Sequence, residues 1–74
     1  MLTQVAINAA KPKGKPYKLA DGRGLFLLIE TNGSKVWRFR YKLRGRENML
    51  SLGVFPSVTL AQARAKRDEA RQTL

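Results

Sequence analysis

The 74-residue chain has no cysteine and no histidine. Their absence removes disulfide staples, the commonest metal-ligand sets and the usual nucleophile-plus-imidazole centres, so no metal, cofactor or catalytic residue is expected. No stretch approaches the roughly 18 apolar residues of a membrane span. The N-terminal MLTQVAINAA also lacks the charged start and long apolar run of a signal peptide. A cytoplasmic protein with no membrane partner is therefore the default, and a cysteine-free chain is compatible with a reducing compartment. A chain this short makes one domain with a marginal core, built here from apolar packing alone. Acidic residues are scarce as well: 5 Asp+Glu stand against 15 Lys+Arg, a net charge of +10. So large a field points to a polyanionic partner.

The charge is uneven. Residues 1–34 carry five basic and two acidic side chains, residues 35–54 six and one, and residues 59–74 four and two. The densest part is KVWRFRYKLRGRE, residues 35–47. There Trp37, Phe39 and Tyr41 fall on one parity and Arg38, Arg40 and Lys42 on the other. That is the period of a strand with one dry and one cationic face.

The remaining elements follow from breakers and caps. Thr3 caps a short helix over TQVAINAA, which stops before the extended connector KPKGKP. Asp21-Gly22-Arg23-Gly24 is a turn by composition, and LFLLIE is a strand. A three-residue loop at Thr31-Asn32-Gly33, with Gly33 left-handed, sets Leu27 against Trp37 and Leu25 against Phe39. A two-residue turn would instead put three aliphatics beside arginines, and burial selects against that register. A second hairpin at Arg44-Gly45 puts Leu50 opposite Phe39 and Leu52 opposite Trp37. The expected core layer is Leu25, Leu27, Ile29, Trp37, Phe39, Tyr41, Leu50, Leu52 and Val54. After Phe55-Pro56-Ser57, Thr59 and Gln62 have capping-box spacing, and a helix follows toward Leu74. Its stripe of Leu60, Ala63, Ala70 and Leu74 covers the sheet, and Arg64 and Asp68 form a surface pair.

The fold class is thus α+β: a three-stranded antiparallel sheet packed on one C-terminal helix, with a short N-terminal helix or extended arm. Residues 1–20 form the arm, 21–56 the sheet and 59–74 the helix. Phe26, Leu28, Val36, Arg38, Arg40, Lys42, Met49 and Ser51 project away from the helix. A solvated face is the bland reading of such a charge run. The stripe is single-signed, however, continues to Arg44 and Arg46 at the tip and is mixed with apolar groups. That suits a duplex groove, where guanidinium forks match phosphates or guanine edges and apolar groups meet thymine methyls. A sheet can enter the major groove as a helix can. The candidate contacts are Lys35, Arg38, Arg40, Lys42, Arg44, Arg46, Phe26 and Leu28.

The segments LT, DGRGLFLLIETNGSKVWRFRYKLRGRENMLSLGVFP and TLAQAR resemble, in order, the N-terminal domain of phage and genomic-island integrases of the tyrosine recombinase family. Those domains show an LT opening, D-x-x-G-L-x-L, a G-x-K-x-W strand, an R-Y pair, L-G-x-[YF]-P and an L-x-x-A-R helix. The resemblance implies a three-stranded sheet with a C-terminal helix that binds arm-type sites, the repeats flanking the crossover site. Its implied role is to position an integrase for integration or excision of a prophage or genomic island. It places catalysis in a downstream domain. Its implied partners are double-stranded DNA, the rest of the integrase chain, DNA-bending accessory proteins and an excisionase, in the bacterial cytoplasm at the nucleoid. It gives Trp37, Tyr41, Leu52 and Phe55 structural roles and Arg38, Arg40 and neighbouring basic residues DNA contacts. The family often has a basic or polar residue where Leu28 stands, so the exposed face here is more apolar.

Other features have plainer readings. Lys11, Lys13 and Lys15 either follow phosphates or solubilise a linker. DGRG lacks the strand-to-helix context of a phosphate loop. Tyr17 and Tyr41 lie in extended segments without a recombinase's arginine and histidine cluster, which favours packing. The alternative function is a small basic RNA-binding or ribosome-associated module, but such readers expose aromatics for stacking, and here all but Phe26 are assigned inward. A membrane binder needs bulky apolar groups on the last helix, which offers mainly alanines.

Overall fold

The computed structural model describes residues 2–73. The chain runs α1 (Gln4–Ala9), β1 (Tyr17–Gly22), β2 (Leu25–Ile29), β3 (Lys35–Leu43), β4 (Arg46–Phe55) and α2 (Leu60–Thr73). The strands form one antiparallel meander in the order β1-β2-β3-β4. No helix among the described residues is long and apolar enough to cross a membrane.

The sheet therefore has four strands where three are expected. The additional one, β1, lies where the sequence reads as connector and turn, because YKLADG is short and ends in turn-forming residues. Its alternation nonetheless fits a strand: Tyr17 and Leu19 pair with Ile29 and Leu27 on the helix side, and Lys18 and Ala20 pair with Leu28 and Phe26 on the other. The sheet starts at Tyr17 rather than at residue 21. The connector before it is tied back, since Tyr17 Oη donates to the Lys11 carbonyl at 2.6 Å and Lys13 Nζ sits 4.6 Å from the Tyr17 ring centre.

Turn chemistry sets the register. Arg23 and Gly24, at φ 53° and 88°, and Arg44 and Gly45, at 52° and 78°, put both central residues in the left-handed region that two-residue hairpins require. The middle loop is the expected three-residue form. Gly33 stands at φ 94°, its N–H donating to Glu30 O at 3.0 Å, and Leu27 faces Trp37 while Leu25 faces Phe39.

The β3–β4 register holds as far as Leu50 opposite Phe39 and then shifts. A bulge at Leu52 puts Gly53, not Leu52, opposite Trp37. Beyond it parity reverses. Val54 joins Val36 on the open side and is 48% exposed, and Phe55 joins Lys35 on the helix side. Gly53 lies at φ 131°, and a Cβ there would collide with the Val58 side chain. That close approach lets the Val58 carbonyl accept from Trp37 Nε1 at 2.7 Å.

Leu25, Leu27, Ile29, Trp37, Ile7, Leu60 and Ala63 are buried together between sheet and helices, with Leu2 beside them. Phe39 is fully buried too. Tyr41 is only half-buried, stacked on Phe39 at 5.5 Å, and Leu50 is exposed. Tyr41 and Leu50 leave the expected core because β4 is the sheet edge and the β3–β4 ribbon outruns its cover, whereas Val54 leaves it because the bulge turns it to the open side.

Both helix starts match their sequence signals. Thr3 Oγ1 accepts from Ala6 N at 3.2 Å. Thr59 and Gln62 exchange reciprocal bonds of 3.2 and 2.9 Å, the capping box. On α2, Leu60 and Ala63 are buried and Ala70 is half-buried, while Leu74 lies outside the described residues.

The expected Arg64–Asp68 pair does not form. Arg64 instead grips Asp21, at 3.1 Å from Nε and 2.8 Å from a terminal nitrogen, and donates to Leu2 O at 2.9 Å. Buried Arg67 reaches Asp21 at 3.2 Å and also holds Asp68 at 3.0 Å. The Leu2 amide donates to Asp21 at 2.9 Å. One buried carboxylate thus joins the N-terminal segment, the end of β1 and α2. The Arg64 hydrogen bonds hold its pKa below the usual carboxylate value, against the opposing push of burial and with help from the Leu2 amide and both guanidinium charges.

Candidate nucleic-acid interface

The face of the sheet turned away from α2 is organised in cross-strand rows. The first is Lys18, Leu28, Val36 and Val54; the second Ala20, Phe26, Arg38 and Ser51; then come Arg40 with Met49, and Lys42 with Glu47. The rows run from apolar to basic. Leu28 and Val36 are half-buried at one end, while Arg40 and Lys42 stand exposed at the other.

Of the predicted contacts, Leu28, Arg38, Arg40 and Lys42 share this face. Phe26 lies on it but is 5% exposed, so it forms the floor and not a free surface group. The added strand accounts for this: Ala20 pairs beside Phe26, and Lys18 Nζ sits 5.0 Å from its ring centre. Lys18 is the basic face residue that the sequence reading missed, for the same reason that β1 was missed.

Arg44 sits in the exposed tip turn, and Arg46 faces Leu43 on the opposite parity. Lys35 is not on the face at all. Its ammonium points to the helix side, donating to the Ile7 carbonyl at 2.8 Å and lying 5.5 Å from the Phe55 ring centre. There it ties α1 to the sheet.

Arg38 and Arg40 differ in what holds them. The Nε of Arg38 is buried with no hydrogen-bond partner, and one terminal nitrogen meets only the Met49 sulfur at 3.7 Å. A thioether is a weak acceptor, so most of this guanidinium's donor capacity is unspent. Arg40 approaches Glu47 at 3.8 Å, with both side chains more than half exposed, a pair worth little in water. Glu47 is the one acidic member of the rows.

The side chains therefore offer forked donors above an apolar floor, on a surface that no other element among the described residues covers. Among the described residues there is no cluster of three or more metal-ligating side chains.

Residues 2–74 match the model of the Arm DNA-binding domain family. The chain is 50% identical over 74 residues to the integrase of Shigella phage Sf6 and to the prophage integrase IntS of Escherichia coli. It is 52% identical over 75 residues to the prophage integrase IntZ of Escherichia coli. All of this chain aligns with the first two and 99% of it with the third, yet it spans only 19% of each relative's length. The matching region is an arm domain and not a catalytic one. With its sheet, its C-terminal helix and its uncovered basic face, the chain belongs to the Arm DNA-binding domain family of phage and prophage integrases.

Proposed function

We propose that the chain binds double-stranded DNA at arm-type sites with the open face of its sheet in the major groove, and so positions an integrase on DNA for site-specific recombination. The observation that carries this reading is Arg38, a half-buried guanidinium beside Phe26 and Ser51 whose terminal nitrogens meet only the Met49 sulfur. A thioether leaves those donors largely unspent, so an acceptor on a DNA base or phosphate can take them up. Basic residues in the rows supply sequence-independent attraction to phosphates. Leu28, Val36 and Val54 at the apolar end suit thymine methyl groups.

The parent protein is then a tyrosine recombinase serving a prophage or genomic island in the bacterial cytoplasm, at the nucleoid. Its partners are the rest of the integrase chain, DNA-bending accessory proteins and an excisionase. An RNA-binding module is disfavoured because stacking on single-stranded bases needs presented rings. Here Phe26 is a floor, and Trp37 and Phe39 are buried. The test is a footprint on the DNA flanking the crossover site of the parent element, with a single-stranded RNA of equal length as competitor. Protected repeats outside the crossover core, not displaced by RNA, are expected. Protection abolished by RNA would overturn the reading.

A further inference from the structure

The β3–β4 ribbon runs past the end of the β1–β2 hairpin. Leu25 pairs with Phe39, the Arg40 amide donates to Gly24 O at 2.8 Å, and from Tyr41 onward β3 has no neighbour on that edge. The step is an open pocket. Arg23 lines it from the β1–β2 turn, Arg40, Tyr41 and Lys42 from β3, and Arg71 from the last turn of α2. Three elements far apart in sequence thus bring four cations to one notch.

Glu47 is the single carboxylate of its lining, and it stands 3.8 Å from Arg40. Asp68 lies beyond, beside Arg23 and Arg71, but is engaged by Arg67 at 3.0 Å. Among the described residues, Arg23, Lys42 and Arg71 have no salt-bridge partner.

We infer that this notch seats a phosphate of the DNA backbone, so that the duplex lying on the open face is also gripped at its edge by the β1–β2 turn and α2. The inference rests on the duplex reading above. Arg40 supplies the continuity, because it lines both the notch and the shallow hollow of the open face that includes Lys18, Ala20 and Phe26. Guanidinium groups converging from different directions match the oxygens of a phosphate. The notch is open to solvent, as suits one phosphate of a long polymer. Arg71 has a plainer role available, as a cation near the C-terminal end of its own helix. That role would appear in stability and not in the salt dependence of binding. Glu47 competes with the phosphate for Arg40, so removing this acid tightens binding.

The test measures affinity for an arm-type duplex and a random duplex across a salt series, with a thermal melt for every variant. Arg23→Asn keeps a residue that tolerates the left-handed turn, and Arg71→Gln keeps a polar group on the helix. The double variant is expected to weaken both duplexes about equally, by at least tenfold at low salt, and to make the log-log salt slope shallower by about one unit, with melts unchanged. Glu47→Gln is expected to tighten both duplexes several-fold. Ser51→Glu reports on the open face alone, since Ser51 is exposed there and does not line the notch. If Ser51→Glu abolishes binding while the double variant keeps wild-type affinity and slope, the notch inference is overturned and the face reading stands. If the double variant weakens binding but Ser51→Glu does not, the notch is supported and the face reading fails. Unchanged binding in both overturns both.

Discussion

The two faces of this sheet are made from the same four strands, yet they solve opposite problems. On the helix side each large group has an assigned partner: Trp37 donates to Val58 O, Lys35 to Ile7 O, and Asp21 takes in both Arg64 and Arg67. On the open side Arg38 has only a sulfur and Arg40 only a distant, solvated carboxylate. One face spends its polar capacity on the fold, and the other holds it in reserve. In a chain of this size the first cannot be weakened without losing the domain, whereas the second can be changed almost freely.

The largest expected effect is on the spent face. Trp37→Ala removes a fully buried ring and strands the Val58 carbonyl, at a cost of about 3 to 5 kcal/mol, enough to unfold so small a domain. A urea melt checks it, and a cooperative transition near the wild-type midpoint would break the comparison. Asp21→Ala comes next, at roughly 3 kcal/mol, because it strips buried Arg67 of its buried counter-ion, leaving only the exposed Asp68, and frees Arg64 and the Leu2 amide as well. Asp21 also gives stability a pH signature. Its folded pKa is depressed, so its contribution is complete above the unfolded value of about 4 and is lost as pH falls through the lower folded value. The difference in melting temperature between wild type and Asp21→Asn should therefore be full at pH 7 and shrink at pH 3.

These two residues also show how legible the sequence was. Trp37 could be placed by parity and loop length alone, since only the three-residue loop gathers the aliphatics with the aromatics. Asp21 could not, because a carboxylate in DGRG looks like an ordinary turn residue and its arginine partners lie more than forty positions away. The resemblance motifs held the missing information in another form. The aspartate of D-x-x-G-L meets the arginine of L-x-x-A-R, and the glycine of L-G-x-F-P is the bulge against Val58. Those motifs describe the spent face. The reserve face was legible as alternation in β3 but blurred elsewhere. The bulge at Leu52 reverses parity without a local signal beyond a glycine, and β1 hides behind a proline-rich connector. Hence Val54 was placed in the core and Lys18 was left off the face, whereas the helix-side position of Lys35 follows from its shared parity with Trp37.

Smaller effects belong to the reserve face. Arg40→Ala should weaken duplex binding by about 1 to 3 kcal/mol and leave the thermal melt unchanged, with a loss on random duplex as well as on the specific site because this side chain also lines the notch. Fluorescence anisotropy on both duplexes checks it. The smallest expected change is that of Arg44→Ala in the exposed tip turn. It should cost both duplexes alike, by under about 1 kcal/mol, and make the salt slope shallower by about one unit.

The central claim, that DNA lies on the uncovered face, is tested most directly by cross-saturation from a bound arm-type duplex to the backbone amides. The account predicts the strongest transfer at Leu28, Arg38, Arg40, Ser51 and Val54, with none along the exposed outer surface of α2 at Ala61, Ala65 and Glu69. Transfer concentrated on those α2 positions, with the sheet amides silent, would contradict it.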